Sequence, residues 1–280
     1  MPPVNLVRYS FAMGIKIAIG GKGGVGKTTV CAVWARIFAE DGFDVLAVDA
    51  DPNTNLCAAF GISEEQSPEP LVKMKQLIAE RTGTGKDTIG AYFRLNPKVS
   101  DLPEKYWLKV DGLKLLVLGG ITQAGAGCAC PEGTFLKALL TNSILQRQEV
   151  VLVDLAAGPE FIGRASVQGI DALVVVVEPG SRSIETAINI ARMAKGLGIK
   201  QVAAIVNKIT DAGQVETIKS QLADMLILAN IRYYPAVQEA DLQRKAVFKT
   251  SPELVERLRQ AKDQLMNLAF PKVENRQLTT

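Results

Sequence analysis

Gly21-Lys22-Gly23-Gly24-Val25-Gly26-Lys27-Thr28 fits the pattern G-x-x-x-x-G-K-[ST], and it stands between a short apolar run, Ile15 to Ile19, and a segment of helical period. Strand, glycine-rich loop and helix in that order are the setting in which the pattern binds phosphate. Glycines admit the left-handed and nest conformations that aim successive N–H groups at phosphate oxygens, and the helix adds the positive end of its dipole. Lys27 then reaches the β- and γ-phosphates, the Thr28 hydroxyl ligates Mg²⁺, and Thr29 follows in the first helical turn. The bland alternative is a glycine-rich turn with an incidental lysine, and the context argues against it.

Outward from the loop, apolar β-branched runs alternate with helical segments, which predicts an α/β fold with a mostly parallel sheet covered by helices on both faces. The strands read are Ile15 to Ile19, Val45 to Val48, Leu113 to Leu118, Val150 to Asp154, Ala172 to Val177, Val202 to Val206 and Ile227 to Arg232. Several are apolar on both faces, as covered parallel strands are. Val30, Val33, Trp34, Ile37 and Phe38 recur at helical spacing, as do Ile184, Ala187, Ile188, Ala191 and Ala194. A last helix opens with Ser251 as N-cap and Pro252 at its first position. The expected organisation is one domain over 13–270, with an N-terminal extension 1–12 that fits no element, an insertion over about 61–112, and a tail 271–280. Within the insertion, Gly83-Thr-Gly-Lys86 is read as a turn, because the glycine that would open a phosphate loop is missing.

Composition narrows the chemistry. In 280 residues, 48% are hydrophobic and 22% charged, the balance of a globular chain with a sizeable core. A net charge of +3 is too small to argue for a nucleic-acid or membrane partner. Histidine is absent, so Ser/His/Asp and Cys/His catalysis are excluded, and a metal site must use thiolate, carboxylate or backbone oxygen. Four cysteines, with no secretory segment and no long apolar run, point to the reducing cytoplasm.

The extra lysine, Lys22, makes the loop the deviant form GKGGVGKTT. It resembles that of the deviant-Walker ATPases, which include nitrogenase iron protein, the cell-division and plasmid-partition ATPases, and metallocentre maturation factors. The resemblance implies a P-loop fold, ATP with Mg²⁺, and a homodimer in which Lys22 crosses to the partner's nucleotide; a solvated loop lysine is the alternative. It also implies roles for the carboxylates. Asp51, in Asp49-Ala-Asp51-Pro52-Asn53, would position or deprotonate the attacking water and lie near Mg²⁺, although a strand-ending aspartate can also simply cap a helix. Asp154 would bind a Mg²⁺-bound water, and the Gly158 N–H would sense the γ-phosphate. Asn207-Lys208-Ile-Thr-Asp211 invites a guanine reading, but its spacing is one residue off; in the resembled family the asparagine reads adenine, with Tyr234-Pro235 alongside, and the neighbouring Lys208 is expected at the nucleotide.

Cys128-Ala-Cys130 precedes Pro131-Glu132 and a segment of helical period, so the pair sits at a helix N-terminus, where the dipole favours thiolate. Two sulfurs half-fill the four-ligand sphere of Zn²⁺ or Ni²⁺, and without histidine a second subunit must complete it. Semi-buried thiols or a redox pair are the bland alternatives. Cys31 and Cys57 read as packing residues.

With Leu95 to Pro103, Gly127 to Glu132, Glu178 to Ala187 and Glu239 to Leu242, the resemblance narrows to the carbon monoxide dehydrogenase accessory ATPases of the CooC type. These imply a cytoplasmic dimer that inserts nickel into an apo-metalloenzyme client such as carbon monoxide dehydrogenase. Switch II departs from the expected Asp-x-Glu-Ala-Gly-x-Glu-His, reading Asp154-Leu-Ala-Ala-Gly-Pro-Glu-Phe161. An iron–sulfur carrier or reductase is the alternative, less favoured because no second cysteine lies near switch II. A spatial-regulation ATPase is another, and the tail offers neither a membrane-targeting helix nor a basic surface for DNA.

Overall fold

In the computed structural model, residues 14–84, 94–120, 131–144, 149–159, 169–222 and 224–269 are described. The apolar runs pair into an 8-stranded sheet ordered β3-β4-β2-β5-β1-β6-β7-β8. Its strands are β1 (Lys16–Gly21), β2 (Val45–Ala50), β3 (Leu108–Val110), β4 (Leu113–Val117), β5 (Val150–Leu155), β6 (Ala172–Val177), β7 (Gln201–Ile209) and β8 (Leu226–Arg232). Every pairing is parallel except β3 with β4. All residues of β1, β5 and β6 are buried, which is why these segments read as continuous apolar runs rather than alternating ones.

Helices cover both faces. On one side lie α1 (Lys27–Glu40), α2 (Leu56–Ala59) and α9 (Pro252–Ala269); on the other lie α3 (Lys75–Thr82), α5 (Pro131–Ala138), α6 (Ser181–Gly196) and α7 (Ala212–Gln221). The elements α4 (Leu102–Tyr106) and α8 (Pro235–Leu242) complete the order. Buried Trp34 on α1 donates its indole N–H to the Leu258 carbonyl of α9 at 2.9 Å, which joins the phosphate-loop helix to the last helix. Ser251 caps α9 as its sequence predicts, its hydroxyl accepting from the Leu254 N–H.

Two local features differ from expectation. The stretch read as an insertion contributes β3, a three-residue antiparallel edge strand hydrogen-bonded to β4. So short a segment carries too few residues to show a period. β7 continues past Val206 to Ile209, and its pairing with β8 slips between those two residues. An irregularity of that kind re-aims the side chains it contains, here Asn207 and Lys208. Of the turn at 83–86, Gly83 caps α3 with φ +78°, and Lys86 lies outside the described residues, as do residues 1–13 and 270–280.

Candidate nucleotide site

The order of the sheet puts the ends of β1, β2, β5 and β7 together at its carboxyl edge, where ligands of open α/β folds bind. Gly21 closes β1 with φ +144°, and a Cβ there would lie 2.4 Å from the Val176 carbonyl oxygen, so only glycine lets the loop leave beside β6. The loop then runs through Gly23, Gly24, Val25 and Gly26 into α1. Above it opens a cavity of about 580 Å³, lined among others by Gly23, Gly24, Gly26, Lys27, Thr28, Thr29, Asp51, Asn207, Lys208 and Tyr234. Lys27 is buried, and its ammonium donates to the Lys22 carbonyl at 3.3 Å, which folds the side chain back over the loop where phosphates would sit.

Behind the loop, β2 and β5 pair in register so that Asp49 and Asp154 are direct neighbours. The Thr28 hydroxyl donates to Asp154 Oδ2 at 2.6 Å. Asp154 Oδ1 is buried and has no hydrogen-bond partner among the described residues. Burial first, and the nearby Asp49 charge second among the raising causes, push the Asp154 carboxyl up to about 7. Asp49 is raised to about 6, again chiefly by burial. A buried orphan oxygen beside a threonine hydroxyl, among carboxylates that resist ionisation, fits a divalent cation. Thr28 would ligate Mg²⁺ directly and Asp154 through water, and bound Mg²⁺ supplies charge neutralisation of the β/γ-phosphates.

Asp51 stands at the cavity wall. Its Oδ1 accepts from the Asn53 N–H at 2.8 Å, and its own N–H donates to Asp49 Oδ1 at 3.2 Å. Asp49 Oδ2 accepts from the Leu56 N–H at 2.9 Å, so this buried carboxylate braces the whole turn that carries Asp51. Asp49 was not among the sequence-derived site residues, although the D-x-D spacing at a strand end is the signal that marks it.

At the far end of the cavity, Asn207 and Lys208 come from β7 and Tyr234 from the N-cap of α8, with Pro235 at its first position. Val237, Gln238 and Asp241 of α8 line the cavity at helical spacing, Arg232 from the end of β8 and the next residue, Tyr233, line it too, and sequence reasoning named none of them as site residues. Asp211, which suggested guanine, accepts the Gly213 N–H at 2.7 Å within a capping box for α7. Its carboxylate is committed to the helix rather than to a base.

Lys22 and Gly158 each have a contact within the chain. Lys22 lies 3.7 Å from Glu178 within the same chain. The Gly158 N–H donates to the Gly21 carbonyl at 3.1 Å. Cys128 and Cys130 lie outside the described residues, and among the described residues no group of three or more His, Cys, Asp or Glu could hold a metal ion. Cys31 and Cys57 are buried as expected, and burial raises both thiols. No helix of the described residues is long and apolar enough to cross a membrane.

The model of the CobQ/CobB/MinD/ParA nucleotide-binding domain matches residues 16–247. The carbon monoxide dehydrogenase accessory protein CooC of Rhodospirillum rubrum is 41% identical over 240 residues, 85% of this chain and 91% of the relative. An uncharacterized ATP-binding protein of Methanocaldococcus jannaschii is 42% identical over 225 residues, 80% of this chain and 86% of the relative. Among solved structures, the septum site-determining protein MinD of Pyrococcus horikoshii, complexed with Mg-ADP, superposes with a TM-score of 0.65 at 20% identity, covering 92% of this chain and 98% of that one. The last likeness shows the fold alone. With an intact phosphate loop on a MinD/ParA-type sheet, the chain is a P-loop ATPase that belongs to the CobQ/CobB/MinD/ParA nucleotide-binding family and, within it, to the carbon monoxide dehydrogenase accessory proteins.

Proposed function

We propose that the protein is a Mg·ATP-dependent metallochaperone of the cytoplasm that delivers nickel to an apo-metalloenzyme, with carbon monoxide dehydrogenase as the favoured client. The observation that carries this reading is the 41% identity to the carbon monoxide dehydrogenase accessory protein across 85% of the chain. The Cys128-Ala-Cys130 pair in the same sequence supplies the chemistry. In this reading ATP closes a homodimer through Lys22, paired C-x-C motifs hold Ni²⁺ or Zn²⁺, and hydrolysis reopens the dimer at the client. Asp51 positions the attacking water, and loss of the γ-phosphate releases the loop that contains Gly158.

Four sulfurs and two per chain require about one metal per two chains. Metal titration followed by sedimentation, with and without a non-hydrolysable ATP analogue, tests this. Metal should drive dimerisation, and the analogue should tighten metal binding, because both favour one closed state. Cys128→Ser or Cys130→Ser should abolish tight metal binding and leave nucleotide binding intact. One tightly bound metal per monomer, independent of both cysteines, would defeat the shared-site reading. Brown colour and bound iron after anaerobic purification would replace nickel delivery by an iron–sulfur role.

A further inference from the structure

The slip in the β7–β8 pairing leaves Asn207 and Lys208 in an irregular stretch of β7, with Lys208 at φ +59°, a conformation unfavourable for a residue with a Cβ. Strain of this kind persists only where surrounding contacts hold it. Here the contacts are specific. The Asn207 amide Nδ2 donates to the Val25 carbonyl at 2.8 Å, and the Lys208 ammonium donates to the Gly24 carbonyl. Glu178 Oε2 lies 3.3 Å from the same ammonium. Glu178 is itself placed by its backbone N–H, which donates at 3.1 Å to the hydroxyl of buried Ser183 in the first turn of α6. Gly26 completes the fit, since a Cβ there would lie 2.5 Å from Asn207 Nδ2.

Two consecutive carbonyls of the phosphate loop are therefore drawn towards β7. In a planar trans peptide the carbonyl of one residue and the N–H of the next point in opposite directions. Holding the Gly24 and Val25 carbonyls down turns the Val25 and Gly26 N–H groups away from β7, and no acceptor among the described residues takes either one. We infer that Lys208, oriented by Glu178, is a positioning residue for phosphate binding: with Asn207 it presets the peptide planes that present the Val25 and Gly26 N–H groups to phosphate oxygens. This rests on the phosphate loop and not on metal delivery. It separates Asn207, expected to read adenine, from Lys208, expected only at the nucleotide. Asn207 keeps its Oδ1 free of the described residues for a base, whereas the Lys208 ammonium is committed to the loop and Glu178.

A ligand without a base distinguishes the roles. Magnesium tripolyphosphate and Mg·ADP are each titrated against a fluorescent ATP analogue bound to the full-length parent, Lys208→Met, Lys208→Arg and Glu178→Gln proteins. Loss of one hydrogen bond to the loop should weaken both ligands about tenfold in Lys208→Met. Lys208→Arg, which can still donate to the carbonyl, should recover most of the affinity, and Glu178→Gln should fall between. In steady state the Lys208→Met KM for ATP should rise by a similar factor with kcat changed less than about twofold, because the cradle grips ground state and transition state alike. Parental tripolyphosphate affinity in Lys208→Met would overturn the inference, and if Mg·ADP alone weakened, Lys208 would be a base-reading residue. Equal losses in Lys208→Met and Lys208→Arg, with a lowered Tm in both, would reduce Lys208 to a general folding role.

Discussion

Asp49, Asp51 and Asp154 divide three tasks among one residue type by environment alone. Asp49 is buried and holds two backbone N–H groups, Asp154 is buried with one oxygen unspent, and Asp51 faces the cavity. Asp51→Asn should keep Mg·ATP binding and lower hydrolysis by about 10² to 10⁴-fold, as expected when a water-positioning carboxylate is lost; phosphate release against nucleotide affinity is the check. The buried pair also sets a pH dependence. Both acids are raised when folded, to about 6 and about 7, above ordinary values near 4, so the folded protein holds protons that the unfolded chain has released. Stability of the metal-free protein should therefore fall as pH rises from about 4 to 7 and level off above. Thermal unfolding in EDTA should give a higher Tm at pH 5 than at pH 8, and saturating Mg·ATP should shrink the difference by favouring the ionised forms. The place of Asp51 at the cavity wall was legible from the strand end that carries it, whereas its role came from the resemblance alone. Glu178 was not legible, because its partners Lys22 and Lys208 are distant in sequence and meet it only through the β1–β6–β7 pairing.

Elements were legible where the local signal is dense. Trp34 and its neighbours mark α1 by their spacing, and Ser251-Pro252 marks the start of α9 by its capping chemistry. β3 was hidden because three half-exposed residues make an edge strand only by lying against β4. The irregular end of β7 was hidden for a related reason: the slip is a property of its pairing with β8, not of its own residues. Asp211 shows how an element claims a residue that a motif seemed to own. Asp211→Ala should cost about 1 kcal/mol through the lost cap, lowering Tm by about 2–4 °C for a domain of this size, while the preference for ATP over GTP stays as it is. A change in base preference would return the carboxylate to the nucleotide.

At the scale of the molecule, two apolar layers sandwich the sheet, as the alternation of strands and helices predicts, and the residues lining the cavity gather at its carboxyl edge. The same layering sorts the cysteines. Cys31 is 0% and Cys57 6% exposed, and burial raises both thiols, so neither should react with a thiol reagent until the chain unfolds. Counting fast and slow thiols in native and denatured protein checks this; more than two fast thiols per chain would contradict the packing. Finally, the bond from the Gly158 N–H to the Gly21 carbonyl gives that N–H an acceptor within the chain. A neutral water offers that N–H nothing better than the carbonyl it already has. A charged phosphate oxygen does, because charge-assisted hydrogen bonds are roughly twice as strong as neutral ones. On the proposed reading, in which Gly158 senses the γ-phosphate, the handover to the nucleotide is an exchange of partners instead of a first capture.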